Sequence, residues 1–406
     1  MAVKSLILDK LGLIALFVST FCLYFLAFHY DFDIHGIPVF NIIVGDRVNS
    51  HVRNGSKKIL FWNEMFGDNT FYLGEGDIFA DCPVNNCYAT HSRTYGDIMN
   101  YDAILFHGNE LDYFDLPKMR DPKQWYVYVN LESPENRPLI DPFYEDYFNL
   151  TMTYRLDSDL PWTYGVVEKV GNGGIVAPLM NVHWNDYLEA SGNFMPEESS
   201  LSKTIQGKRR LVCWFVSNCP AKSGRLEYVK ELSKHIIVDI YGECGEHRCP
   251  RNRDCFAEIV EPDCFFYLSF ENSLCRDYVT EKLYNPLRYN VVPIVYGGAN
   301  YSLFAPPGSY VNAMDFDTPK DLAEYLKNLA KNPQEYRKYF RWKRYYKIDT
   351  GVHRIACKLC EFFNSNNERK TYYPLSNWYS KGKCPLQRFI NENQQYLTGA
   401  VLKNRN

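Results

Sequence analysis

Between Phe266 and Asn300 the chain reads FYLSFENSLCRDYVTEKLYNPLRYNVVPIVYGGAN, and its residue types point to a site for a charged leaving group. An apolar run ending at Phe270 gives way to Glu271-Asn272-Ser273. A second apolar run covers Val291–Tyr296, and Glu281-Lys282 stand where an intervening helix would open. A helix N-terminus offers unpaired N–H donors and a partial positive charge, and an adjacent lysine strengthens its pull on phosphate. The arrangement suits a nucleotide diphosphate; the same spelling is also that of an ordinary strand–helix–strand unit with surface charges. A second carboxylate, Glu132, follows the apolar run Trp125–Val129 in Asn130-Leu131-Glu132-Ser133-Pro134. It reads either as a reactive group at a strand end or as a cap on the next turn, with Glu135 as its competitor.

The elements that must position these groups follow from periodicity. Strands are expected at Lys58–Trp62, Ala103–Phe106, Trp125–Val129, Leu211–Val216, Ile236–Tyr241, Cys264–Phe270 and Val291–Tyr296. Helices are expected at Gly224–His235, after Asp277 with Val279, Leu283 and Leu287 on one face, and at Thr318–Asn328. Asn285-Pro286 should kink or end the second of these. Strands alternating with helices imply parallel sheets covered on both sides, and ligands of such sheets bind beyond the carboxyl ends of the strands. Gly192–Gly207, rich in Ser and Glu, reads as the interdomain linker.

With 406 residues, 46% hydrophobic and 16% aromatic, the chain has material for two ordinary domains. A net charge of −3 gives no reason to expect nucleic acid. Lys208-Arg209-Arg210 is short and reads as a solvated strand entrance. The uncharged apolar run Leu11–Phe28 is just long enough, at about 1.5 Å per residue, to cross a bilayer. Lys4 and Lys10 precede it and Asp31 and Asp33 follow, which sets the tail in the cytosol and the body in the lumen. A cleaved signal peptide is the competing reading.

There are 13 cysteines, and setting aside Cys22 in the apolar run leaves an even number for an oxidising compartment. Cys357-Lys-Leu-Cys360 is expected to serve a structural disulfide rather than a redox or zinc site. Cys82 and Cys87 have the spacing of a small closed loop, and the other pairings stay open. Sequons at Asn54, Asn149 and Asn300 fit lumenal glycosylation.

Several blocks resemble the α1,3-fucosyltransferase family (glycosyltransferase family 10). They are Phe270-Glu271-Asn272-Ser273, Asp277-Tyr278-Val279-Thr280-Glu281-Lys282 and Val292-Pro293-Ile294-Val295. Upstream lie Asn130-Leu131-Glu132-Ser133-Pro134 and Phe148 to Asp159; downstream lie Tyr301, Phe304, Pro306-Pro307 and Asp315 to Ala323. The resemblance covers roughly residues 58–345, and the tail resembles arthropod members more loosely. It implies a GT-B arrangement, two Rossmann-like α/β domains facing a cleft behind one N-terminal transmembrane helix. The divisions are 1–10 (cytoplasmic tail), 11–28 (signal anchor), 29–57 (stem), 58–195 (acceptor side), 205–345 (GDP-fucose side) and 346–406, a cysteine-containing extension expected to add little to function.

The resemblance further implies an inverting transfer of L-fucose from GDP-β-L-fucose to the 3-OH of N-acetylglucosamine in glycoprotein glycans, at the Golgi membrane. Glu132 would be the general base, with Arg225, Asn272, Tyr278, Glu281 and Lys282 binding the donor and Arg225 clasping the diphosphate. No metal is expected to be required, with Mn²⁺ at most a stimulant. Asp157-Ser158-Asp159 has the D-x-D spelling of a metal pair but falls in the half opposite the donor. Core N-glycan and terminal lactosamine both stand as acceptors. The alternatives are another nucleotide-sugar transferase of this fold, a silent membrane-anchored lectin, and a thiol oxidoreductase built on Cys357 and Cys360.

Overall fold

The computed structural model describes residues 55–171, 173–184, 199–250, 252–366, 374–387 and 396–403. The expected anchor at Leu11–Phe28, most of the stem and the Asn54 sequon lie outside them. Among the described residues no helix is long and apolar enough to cross a membrane.

The first parallel sheet contains β1 (Lys57–Phe61), β2 (Cys87–Thr90), β3 (Ala103–His107), β4 (Trp125–Asn130) and β5 (Leu150–Thr153), in the order β2-β1-β3-β4-β5. Every residue of β3 and β4 is buried, as a parallel strand covered on both faces requires. Short strands β6 (Val166–Lys169) and β7 (Ile175–Ala177) then pair antiparallel.

The second parallel sheet contains β8 (Arg210–Phe215), β9 (Val238–Tyr241), β10 (Cys264–Phe270), β11 (Val292–Tyr296) and β12 (Val311–Asn312), in the order β12-β11-β10-β8-β9. Its helices are α1 (Ser199–Gly207), α2 (Arg225–Leu232), α3 (Glu281–Arg288) and α4 (Pro319–Ala330). The α/β class and the parallel sheets are therefore as the sequence indicates. Helix α3 runs through Pro286 without the break expected there and ends two residues later, at Arg288.

Four expectations need correction. Residues 199–207 are helix rather than linker, because Leu201 and Ile205 bury against the second sheet. Lys208 is not solvated: it is buried, and its Nζ donates to the carbonyls of Cys264 (2.8 Å) and Glu261 (2.5 Å). Cys82 and Cys87 do not pair with one another; they bond to Cys357 and Cys360 respectively. The C-terminal extension is not peripheral. Its strand β13 (Tyr346–Asp349) pairs with β6, and α5 (His353–Ser365) lays Ile355, Leu359 and Phe363 on one face of the first sheet. Helix α6 (Leu375–Tyr379) covers the opposite face beside Tyr126 and Tyr128. Periodicity between residues 58 and 345 carried no information about this return of the chain.

The remaining disulfides join Cys213–Cys264, Cys219–Cys244, Cys249–Cys255 and Cys275–Cys384, so every cysteine from Cys82 onward is paired. Cys357 and Cys360 are structural, as expected, although each takes a distant partner.

Candidate active site

Strand β4 delivers Glu132 to its carboxyl end. Asn130 Oδ1 accepts from the Glu132 N–H at 2.9 Å and bends the chain there, while its Nδ2 is held by Asn109 Oδ1 and the Tyr128 hydroxyl. Three donors converge on Glu132 Oε1: the Tyr278 hydroxyl at 2.6 Å, the Ser133 N–H at 2.8 Å and Asn136 Nδ2 at 3.2 Å. Among the described residues no hydrogen bond falls on Oε2. The local bonds from Ser133 and Asn136 are those of a capping glutamate; the bond from Tyr278 comes from the other sheet. One oxygen is fixed, and the second is left to accept a proton.

Strand β10 delivers the facing group. Glu271 follows Phe270 with its N–H on the Tyr296 carbonyl at 2.9 Å. Its carboxylate accepts from the Thr280 N–H at 2.8 Å and from the Thr280 hydroxyl at 2.9 and 3.0 Å. Thr280 is the N-cap of α3, so this buried carboxylate fixes where the helix begins. Lys282 Nζ lies 2.9 Å from Glu281 Oε1, 3.2 Å from Thr280 Oγ1 and 3.7 Å from Glu271 Oε2. Burial lifts the Glu271 carboxyl to about 7; Lys282 and the Thr280 bonds oppose the rise and Glu281 adds to it. The helix start thus holds an ammonium between two carboxylates. Two glycines let β11 pass close beneath this loop: a Cβ at Gly298 would strike the Leu274 carbonyl, and one at Gly297 the Tyr301 hydroxyl.

The two strand ends meet. Ser133 Oγ donates to Ser273 Oγ at 2.7 Å, and Asp277, at a left-handed φ of 60°, turns the chain so that Tyr278 reaches Glu132. Tyr164 donates to the Leu131 carbonyl at 2.8 Å, and Tyr154 meets the Tyr278 ring edge-on at 5.0 Å. Burial above all holds the phenols of Tyr154, Tyr164, Tyr278 and Tyr379 well above their usual range, so they remain protonated.

Of the expected site residues, the structure joins Glu132 to Tyr278 and Glu281 to Lys282. Asn272 lies in the same loop, its Oδ1 accepting from the Ser273 hydroxyl at 3.2 Å. Arg225 is placed differently from the expected diphosphate clasp. It is 1% exposed, and its guanidinium donates to the carbonyls of Phe270 at 2.9 Å and Asn218 at 2.7 Å. In this position it braces the root of the Glu271 loop, with two of its N–H donors committed to main-chain carbonyls.

Asn149 is not a glycan acceptor. It is 7% exposed; its Oδ1 accepts from the Tyr126 N–H at 2.8 Å and its Nδ2 donates to the Gln124 carbonyl at 3.2 Å. A buried amide stitching β4 to the entrance of β5 has no room for a sugar. Asn300 is exposed, its Oδ1 accepting from the Ser302 hydroxyl at 2.8 Å.

The D-x-D spelling does not make a cation site. Asp157 pairs with Arg155 at 2.5 Å, and Asp159 Oδ2 takes the N–H and hydroxyl of Thr151, both at 2.8 Å.

Sequence reasoning missed Glu271, although the signal was present: a carboxylate ending an otherwise apolar strand. It also missed Tyr379, whose hydroxyl donates to the Glu132 carbonyl at 2.5 Å.

Glu132 thus lies beyond the carboxyl end of a strand of one parallel sheet, and the Glu281–Lys282 helix start follows a strand of the other. Two family profiles match, "Fucosyltransferase, N-terminal" over residues 54–165 and "Glycosyltransferase family 10 (fucosyltransferase) C-term" over residues 205–378. The chain belongs to glycosyltransferase family 10, the fucosyltransferases. It is 36% identical to Alpha-(1,3)-fucosyltransferase C of Drosophila melanogaster over 82% of this chain and 80% of that one. It is 33% identical to 4-galactosyl-N-acetylglucosaminide 3-alpha-L-fucosyltransferase 9 of Mus musculus over 79% of this chain and 81% of that one. A crystal structure of an alpha1,3-fucosyltransferase with GDP-fucose aligns with TM-score 0.46 and 16% identity, covering 79% of this chain and 92% of the other.

Proposed function

We propose that this protein transfers L-fucose from GDP-β-L-fucose, with inversion, to the 3-OH of N-acetylglucosamine in glycoprotein glycans. The observation that carries the reading is the placement of Glu132, one carboxylate oxygen pinned by Tyr278 and the other unbonded, opposite the Lys282 end of α3. The relatives' names support the α1,3 linkage and fucose as the sugar transferred.

As the acceptor oxygen attacks the anomeric carbon, Glu132 Oε2 takes its proton and the bond to the diphosphate oxygen breaks, leaving GDP. Lys282 turns from Glu281 to the departing phosphate, with the α3 N–H groups adding their partial charge. Glu281 and Asn272 accept and donate to the sugar hydroxyls, and Glu271 keeps the helix start in register. We assign no essential metal, since Lys282 and the helix end supply the positive charge; Mn²⁺ is at most a stimulant. In this reading residues 58–195 form the acceptor side and residues 205–345 the donor side of a GT-B arrangement. We infer that the chain is anchored in the Golgi membrane through residues 11–28, with the catalytic body lumenal.

The test is transfer of labelled fucose from GDP-fucose by the full-length protein, offering a core N-glycan and an N-acetyllactosamine together, with Glu132→Gln and a chelated sample in parallel. Label on either acceptor, lost in the variant and kept after chelation, supports the reading. GDP binding without transfer to either acceptor would replace it with a silent lectin. Transfer lost on chelation would overturn the metal-free assignment.

A further inference from the structure

The matched family region ends at residue 378, yet the chain beyond it returns to the reacting groups. Tyr379 is fully buried, and its hydroxyl reaches the Glu132 carbonyl at 2.5 Å. One residue earlier, the Trp378 carbonyl accepts from Arg155, whose guanidinium also lies 4.1 Å over the Trp378 ring. Ser376 bonds Glu145. These contacts belong to the half that carries the base. Past residue 380 the same segment changes sides. Cys384 is bonded to Cys275, the Lys383 carbonyl accepts from the Arg276 N–H at 2.7 Å, and Gln387 Oε1 accepts from the Leu274 N–H at 3.1 Å. Gln387 is fully buried and also donates to the Lys222 carbonyl.

We propose that residues 375–387 form a strap that sets the register of the Glu132–Tyr278 pair, with Tyr379 as a positioning residue and Cys275–Cys384 as the clasp. The inference rests on the reading of Glu132 as the base. The strap grips the two members of that pair from behind. Tyr379 holds the main chain of Glu132, and the clasp fixes Cys275, three residues before Tyr278. Neither contact touches the Lys282 end of α3, which Glu271 and Thr280 fix independently. A displacement of about 1 Å at a reacting group is enough to cost roughly a hundredfold in rate. The strap therefore bears on turnover rather than on donor affinity.

The experiment compares full-length wild type, Tyr379→Phe, Cys275→Ala/Cys384→Ala and, as a remote control, Lys403→Ala, whose partner is the exposed Asp317. Tyr379→Phe is expected to lower kcat about fivefold to tenfold, in line with the loss of one hydrogen bond, with GDP affinity within about twofold of wild type. The double cysteine variant should lose more, and adding Tyr379→Phe to it should cost little further, since both act through one strap. Lys403→Ala should match wild type.

Amide hydrogen exchange gives a readout independent of activity. Protection at Glu132 and Ser133 should fall several-fold in Tyr379→Phe, while protection at Thr280 and Lys282 holds. Unchanged kcat and unchanged exchange in both variants would overturn the strap, as would a loss of GDP affinity in step with kcat. If wild type transfers no fucose while the exchange pattern changes as stated, the reading of function fails and the strap stands.

Discussion

The Tyr278 hydroxyl donates to Glu132 Oε1 at 2.6 Å, joining residues 146 positions apart in the sequence. The bond crosses from one parallel sheet to the other and lands on the oxygen that already carries the Ser133 N–H. A carboxylate held this way keeps its reactive edge pointed in one direction. It also gives Tyr278 a part in setting the orientation of that carboxylate.

Replacing Glu132 by Gln should therefore leave the fold and GDP binding intact while lowering transfer by about 10²- to 10⁴-fold. Tyr278→Phe should cost about tenfold, close to the loss of one charge-assisted bond. Steady-state transfer rates set beside calorimetric GDP binding check both. A Glu132→Gln variant with wild-type kcat would remove it from the mechanism.

Lys282 is balanced between Glu281 and Glu271 before any donor arrives. Lys282→Ala should weaken GDP binding about tenfold to a hundredfold, the range of a charged hydrogen bond. Lys282→Arg should not restore it fully, because the planar fork does not fit a pocket made for a compact ammonium. Titration calorimetry with GDP reads the difference.

Glu271 makes stability depend on pH. Its folded carboxyl is raised to about 7 from an ordinary value of 4.5, so between these values the folded state binds the proton that the unfolded chain releases. The contribution is full below about pH 4.5 and is lost as pH rises through 7, for roughly 3 kcal/mol at most. Glu271→Gln should flatten that part of the profile. Denaturant unfolding between pH 5 and pH 8 measures the slope, and a stability that rises across this window equally in both proteins would refute the assignment.

The sequons separate by burial. Mass spectrometry of the secretory-pathway protein should find Asn149 unmodified and a glycan on Asn300. Asn149→Ala should destabilise by about 1–3 kcal/mol, because the Tyr126 N–H and Gln124 carbonyl lose their partner. Asn300→Gln should change mass and little else.

The repeated βα pattern was legible because its signals are local. Cys264–Phe270 is apolar apart from Ser269, and Thr280 caps a helix whose Leu283 and Leu287 face inward. Glu132, Glu281 and Lys282 were legible from motif position at strand and helix ends. What escaped notice depends on partners distant in sequence. Nothing around Tyr379 announces that its hydroxyl meets Glu132, and the sequon at Asn149 gives no sign that its amide lies within a sheet. Arg225 had the right type for phosphate, but two carbonyls compete for its guanidinium, and they are visible only in three dimensions.

Helix α5 completes one face of the first sheet with residues that follow it by more than two hundred positions. During synthesis β1 to β5 are made while that face has no cover, and Cys82 and Cys87 wait as thiols for Cys357 and Cys360. A ribosome translating about 5–20 residues per second leaves this surface bare for tens of seconds. Over that interval the nascent amino-terminal half is a natural client for chaperones and thiol isomerases. A stop codon between residues 283 and 352 would strand it there, even though Glu132 and Lys282 had both been made.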